Sequence, residues 1–149
     1  MNHLEKIDRQ YMDNSLLISK YVQSILEEDG GVIAILGNDS HKIFPLLQPD
    51  NLTFPFVVHS RTGIQTEYTK DVEYGNVGFW NRVQFTVSCV SGKYSECIEL
   101  ANAVRHALEL YRWKDENIYI HPIQLVSAAE YTTDNDAFVQ ELQFQAIVE

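Results

Sequence analysis

Two cysteines, Cys89 and Cys97, are the side chains in this sequence best suited to act as nucleophiles. A catalytic thiolate needs an imidazole within hydrogen-bond reach as its activating base. His106 stands nine residues after Cys97 on one predicted helix, which separates the two by about 13 Å of axial rise. Cys89 falls on the apolar face of a predicted strand, and apolar surroundings raise the pKa of a thiol. The sequence therefore predicts two buried, unreactive thiols in a reducing compartment.

The five histidines and one acidic tripeptide are the remaining candidates for metal chemistry. No two histidines have the i, i+4 spacing that places a pair of imidazoles on one helix face. Asp134-Asn135-Asp136 resembles the start of a calcium loop, but the glycine at the sixth position and the glutamate at the twelfth are missing, so we expect a hairpin turn. Phosphate-binding glycine motifs and the nucleophile-elbow motif are also absent. We expect no catalytic residue, no metal and no cofactor, and a protein that is not an enzyme.

Length and charge narrow the class of protein further. The chain of 149 residues is long enough for one domain, and 45% hydrophobic with 21% charged residues is ordinary globular composition. A formal net charge of −10 argues against a protein that binds nucleic acid or anionic lipid through its whole surface, because both are negatively charged. No apolar run approaches the length of a membrane span, and the start lacks the apolar region of a secretion signal. We therefore expect one acidic domain, residues 1–149, that is neither secreted nor inserted in a membrane.

Periodic apolar residues predict an α+β fold. One helical stripe runs from Ser15 and is expected to end at Gly30-Gly31, and a second runs from Cys97 to Tyr111 with Ser91 as its N-cap. The clearest alternation of apolar and polar side chains, typical of a strand, lies at 83–89. Further strands are predicted at 41–45, from 56, at 118–129 and at 138–148, with a helical turn at 32–36 and a short helix at 4–11. Because hairpins fit this order better than parallel crossovers, we expect an antiparallel sheet.

Residues 60–82, which we call the arm, differ in composition from the rest of the chain. Aromatic side chains alternate there with polar residues and three glycines, in a domain too small to bury all of them. One interpretation is a flexible hairpin in which only the base, with Phe79 and Trp80, packs on the core. The other is an arm that becomes ordered against a partner, since aromatic anchors dominate interfaces. The candidate interface residues are then Tyr68, Asp71, Tyr74, Phe79 and Trp80.

The order of these elements resembles that of small phage and prophage proteins called tail-completion or tail-terminator proteins. The matching segments, each short and apolar by itself, are Leu16 to Leu26, Val32-Ile33-Ala34-Ile35-Leu36-Gly37, Lys42-Ile43-Phe44-Pro45, Phe54-Pro55-Phe56-Val57-Val58, Val83 to Cys89, Tyr94 to Leu108 and a closing hairpin with its turn near Asp134. Together they span about residues 15–148. The resemblance implies a curved antiparallel sheet with two main helices packed on one side. An N-terminal extension, residues 1–14, and the long arm depart from the pattern.

The same resemblance implies a function in assembly. Such proteins form hexameric rings that cap the tail tube, stop its growth and give the head connector a docking surface. The implied partners are further copies of the chain, the tail tube protein and the head–tail connector, in a virion tail made in the bacterial host cytoplasm. DNA would pass through the ring without specific binding, because an acidic lumen repels phosphate. Two alternatives stay open at this point: a head-completion or neck protein of similar plan, and a bacterial binding module of the same fold plan.

Overall fold

A computed structural model describes residues 14–46, 52–68 and 79–149 of the chain. Within these ranges three α-helices and seven strands follow one another in the order α1 (Ile18–Glu28), α2 (Gly30–Ile35), β1 (Ile43–Pro45), β2 (Phe56–Tyr68), β3 (Phe79–Ser91), α3 (Tyr94–Leu108), β4 (Trp113–Lys114), β5 (Tyr119–Ile120), β6 (Gln124–Thr132) and β7 (Phe138–Val148). Two short 3-10 helices, Ser15–Leu17 and Ser40–Lys42, precede α1 and β1. The strands form one sheet that curls into a half-barrel. The predicted α+β class is confirmed. The predicted helix at 4–11 lies outside the described residues.

The first two helices form where the apolar periodicity predicts them, but their boundary differs. α1 buries an apolar stripe at every fourth residue and ends at Glu28. The Asp29 side chain then accepts a hydrogen bond from Val32 N at 3.0 Å, so Asp29 caps a new helix, α2. The prediction that Gly30-Gly31 ends the first helix is therefore wrong. The glycines form the first turn of α2 because a carboxylate cap precedes them.

α3 confirms the second predicted helix, although Ser91 acts at its start in another way than predicted. Ser91 is the last residue of β3, and Lys93 occupies the N-cap position. The Ser91 hydroxyl accepts from Lys93 N at 3.1 Å and donates to Glu96 Oε1 at 2.7 Å. The hydroxyl thus fixes the turn from strand to helix from a position two residues before the cap.

The sheet is antiparallel except at one edge. Its strand order is β1-β2-β3-β7-β5-β4, and β6 also pairs with β7. β1 runs parallel to β2, whereas β2 with β3, β3 with β7 and β6 with β7 are antiparallel. The predicted strand at 118–129 is divided into β5 and β6, which lie on either side of Pro122. Proline has no N–H to donate to a ladder, so the strand is interrupted there.

The main hydrophobic core lies between the helices and one face of the sheet, which we call the helix face. The predicted alternation on β3 is confirmed, since Val83, Phe85, Val87 and Cys89 are all buried. Phe85 stacks on Phe144 of β7 with ring centroids 5.3 Å apart. β3 and β7, which are neighbours in the middle of the sheet, therefore contribute the centre of this core.

A smaller hydrophobic cluster lies on the opposite face, which we call the outer face. Its buried members are Phe56, Val90, Ala137 and Val139. Phe56 and Val90 are direct partners in the β2–β3 ladder, and Val90 pairs with Val139 on β7. The cluster forms because side chains alternate between the two faces of a strand and this end of the sheet is apolar on both.

Candidate assembly interface

The two cysteines lie close together but in surroundings that disfavour the thiolate. Both are free and buried, and the Cys97 thiol donates to Cys89 O at 3.2 Å and to Phe138 O at 3.3 Å. Burial raises the pKa of the Cys89 thiol and of the Cys97 thiol. Exposed His106 lies near the C-terminal end of α3, whereas Cys97 is the fourth residue of that helix. The prediction of two buried thiols is confirmed.

The acidic tripeptide lies in a hairpin turn, as predicted. Thr133 N donates to Ala137 O at 2.9 Å, and Asp136 has a φ of 59°, a left-handed conformation that closes the β6–β7 hairpin. Among the residues that the structure describes, no three His, Cys, Asp or Glu side chains come together as a metal site. No helix in those ranges is long and apolar enough to cross a membrane.

The base of the arm continues the sheet. β2 and β3 pair along their whole length, up to Glu67 opposite Trp80 and Tyr68 opposite Phe79. Tyr68 is 65% exposed, and the Arg82 guanidinium lies 5.7 Å from the centre of the partly buried Trp80 ring. The other two predicted interface residues, Asp71 and Tyr74, lie outside the described residues, as does the tip of the arm.

One edge of the sheet is formed by β2. β1 pairs with only three of its residues, Val57 to His59, and Leu46 N then donates to His59 O at 2.8 Å. Along residues 60–67 the outer side of β2 pairs with no strand in the described ranges. Arg61, exposed on this stretch, donates to Leu16 O at 3.1 Å, which places its side chain on the helix face. Among the described residues, β2 therefore offers an edge of eight residues to which no strand is paired.

The opposite side of the sheet has two edge strands, β6 beside the first part of β7 and β4 beyond β5. All nine residues of β6 except Leu125 are exposed, and β6 pairs with β7 alone in the described part of the chain. Its middle consists of small residues, Ser127 to Ala129, flanked by exposed Val126 and Tyr131. Such an edge can accept another strand along its whole length.

A shallow groove of about 620 Å³ lies between the β6–β7 hairpin and the start of α3. Glu130 lies in it and accepts from Tyr94 Oη at 3.0 Å and from Gln140 Nε2 at 2.7 Å. These hydrogen bonds, that from Gln140 first, lower the pKa of Glu130, so the carboxylate is charged at neutral pH. Tyr94 also meets Phe138 edge to face at 5.5 Å. The groove therefore presents one fixed negative charge among aromatic rings.

A carboxylate that the sequence patterns did not single out joins α1 to the β4–β5 hairpin. Asp115 accepts from Tyr21 Oη at 3.0 Å, Trp113 Nε1 at 2.9 Å, Asn117 N at 2.7 Å and Ile118 N at 3.0 Å. The hydrogen bond from Trp113 is the largest of the causes that lower the pKa of Asp115 to about 2. An aspartate two residues before an asparagine was the available signal, because such residues form turns with backbone N–H groups.

Comparison with known proteins identifies the family. The profile of the family described as "Tail completion protein gp17" matches residues 20–149, which is 130 of the 149 residues. The chain belongs to this family. The predicted resemblance to tail-completion proteins is thereby confirmed, and the N-terminal extension lies outside the matched range. A search of curated protein sequences found no match.

The tail completion chain also resembles a solved structure. A chain from the structure titled "Virion of native gene transfer agent (GTA) particle" matches with a TM-score of 0.70 and 18% sequence identity, over 89% of this chain and 94% of that chain. At this identity the match shows a shared fold. With the family assignment it identifies a structural protein of phage-like tails, a class of particle components that are generally not enzymes.

Proposed function

We propose that copies of this chain form a ring, with six copies as the expected number, that caps the tail tube, ends its polymerisation and joins the tail to the head connector. The family match over residues 20–149 is the observation that carries the proposal. On this proposal the chain has no catalytic role, and it is made in the host cytoplasm before it enters the virion tail.

The two free edges support ring formation. A closed ring of identical subunits needs two different, complementary surfaces on each subunit, so that each contact is heterologous. The β2 edge and the β6 edge lie at opposite sides of one curled sheet. A subunit with this arrangement can contact one neighbour through β2 and the other through β6.

The charge of the chain supports a lumen through which DNA passes. A formal net charge of −10 gives a ring of six subunits a formal charge of about −60. Phosphate is repelled by such a surface, so DNA moves through the ring without being held. The partners proposed are thus further copies of the chain, the tail tube protein and the head–tail connector, and DNA and membrane are not binding partners.

The arm is the proposed contact with the tube or the connector. Tyr68, Asp71, Tyr74, Phe79 and Trp80 are its candidate residues. Exposed Tyr68 and partly exposed Trp80, at the described base of the arm, supply the aromatic surface typical of interface anchors.

Tail length distinguishes this function from that of a neck protein. Particles made without the chain should contain tail tubes of uncontrolled, excessive length, and the purified chain should bind to tube ends and stop their growth, as seen by negative-stain electron microscopy. Tubes of normal length that fail to join heads would instead identify a head-completion protein. A chain that binds neither tubes nor heads would contradict both functions, and a bacterial binding module would be the remaining alternative.

A further inference from the structure

We infer that neighbouring subunits join by pairing the β6 edge of one copy with the β2 edge of the next, in a register that places Glu130 opposite Arg61. This inference rests on the proposed ring, because it names the contact from which the ring is built. The occupant of each edge is therefore a second copy of this chain.

The two edges are similar in length and in chemistry. β6 has nine residues, and the edge of β2 without a paired strand in the described ranges, residues 60–67, has eight, so a ladder of about 25 Å fits both. Neither stretch contains a lysine or a proline, and each carries one bulge, between Arg61 and Gly63 and between Leu125 and Ser127. The two edges are therefore of similar length and similar regularity.

The strand directions also match. β2, β3, β7 and β6 alternate in direction, so β6 runs opposite to β2 within one copy. Rotation about a ring axis parallel to the strands keeps these directions. The β6 edge of one copy therefore meets the β2 edge of the next in antiparallel orientation, and the helix faces stay on one side.

Charge then selects the register. The side chains of Arg61 and Glu130 both lie on the helix face, as their contacts with Leu16 and with Tyr94 of α3 show. An arginine retains further N–H donors and a carboxylate further lone pairs after such contacts, so each can also bond across the interface. Pairing these residues starts the ladder directly after His59, where β1 and Leu46 stop covering β2.

The irregularities of β2 fit the same register. β2 has one extra residue, Thr62, between Arg61 and Gly63. With the extra residue opposite Ala129, Ile64 comes to lie opposite Ala128, and exposed Gln65 comes to lie opposite exposed Ser127. The small alanine side chains leave room for the bulge and for Ile64.

Charge exchange tests the pairing. Arg61→Glu and Glu130→Arg should each lower the apparent association constant, measured by light scattering, by at least about tenfold, because each places like charges opposite one another. The double variant should return to within about threefold of wild type. Lys42→Glu, which changes charge by the same amount on another element, is the control and should associate like wild type. Circular dichroism checks that each variant is folded.

Cross-linking tests the register without relying on function. Gln65→Cys combined with Ser127→Cys should form interchain disulfides on mild oxidation, since residues opposite each other in an antiparallel pair have Cα atoms within disulfide range. Gln65→Cys with Asn102→Cys on exposed α3 is the matched control. The native cysteines are buried and do not interfere.

The outcomes separate the contact from the function. Rings that form without the 65–127 cross-link, or a charge-exchanged double variant as weak as the single variants, would overturn the edge pairing and leave the ring in place. In-register cross-links in a protein that does not stop tube growth would support the pairing and contradict tube capping. Cross-linking of the control pair to an equal extent would also overturn the pairing.

Discussion

Acidification should destabilise the protein through His59. This side chain is 2% exposed, and its Nε2 lies 2.5 Å from Gln23 Oε1. Gln23 Nε2 already donates to Ile43 O and to Glu27 Oε1, so the amide oxygen accepts from a neutral imidazole that carries its proton on Nε2. Burial lowers the pKa of His59 from 6.5 to about 4, and the Glu27 carboxylate opposes part of this effect.

The sign and size of the effect follow from this pKa. The unfolded chain protonates His59 near pH 6.5 and the folded chain only near pH 4, so stability is complete above pH 6.5 and is lost as the pH falls from 6.5 to 4. One pKa unit corresponds to about 1.4 kcal/mol, which gives about 3 kcal/mol for the whole interval. By pH 5, about 2 kcal/mol should already be lost.

Urea unfolding at pH 8 and pH 5 measures this loss. His59→Gln keeps a side-chain N–H that can donate to Gln23 but does not titrate. Between the two pH values the wild type should lose about 2 kcal/mol more than His59→Gln, since the carboxylates contribute equally to both. His106→Gln, on the exposed side of α3, is the control and should follow the wild type. A difference below about 0.5 kcal/mol between wild type and His59→Gln would refute the argument from burial.

The cysteines, the arm and Asp115 provide further tests. Cys89→Ser and Cys97→Ser should each lower the free energy of unfolding, measured by thermal denaturation, by about 1–3 kcal/mol, because a polar hydroxyl replaces a buried thiol. Both variants should still cap tail tubes. Loss of capping in a folded variant would show that a thiol acts directly. Replacing residues 69–78 by a Gly-Ser turn should leave the melting temperature nearly unchanged, because a shorter loop costs less closure entropy. The same replacement should abolish joining to the tube or connector, and Tyr68→Ala should weaken this joining to a smaller extent. If the shortened variant is unfolded, the arm belongs to the core. Asp115→Asn should lower the free energy of unfolding in urea at neutral pH. The difference from wild type should shrink as the pH falls from 3.8 towards 2, where the wild-type carboxylate becomes protonated. Equal stability of the two proteins at neutral pH would contradict the stabilising role of Asp115.

Local patterns predicted the central strands and helices well. The alternation at 83–89 and the helical stripe from Cys97 are repeated over many residues, so burial of one face is the only arrangement that satisfies them. Shorter signals were less reliable. Gly30-Gly31 is equally compatible with the end of one helix and the start of the next, and the choice depended on the Asp29 carboxylate. Pro122 divided a strand that apolar content alone would continue.

The candidate interface could not be located from local patterns. Residues 60–67 and 124–132 become sheet edges only because β3 and β7 occupy the centre, and strand order is a property of the whole chain. The parallel pairing of β1 with β2 is likewise non-local. The aromatic residues of the arm led to the prediction of an interface there. The structure adds that the base of the arm is a paired extension of the sheet.

The outer-face cluster makes one end of the β2–β3 hairpin stiffer than the other. Near Phe56 and Val90 the hairpin is packed on both faces, whereas at Thr66 to Tyr68 the strand is exposed. Amide hydrogen exchange should therefore be slowest near Val57 and become faster towards Tyr68. In a single subunit, a load applied to the arm would bend the hairpin about this packed end and leave the helix-face core unchanged.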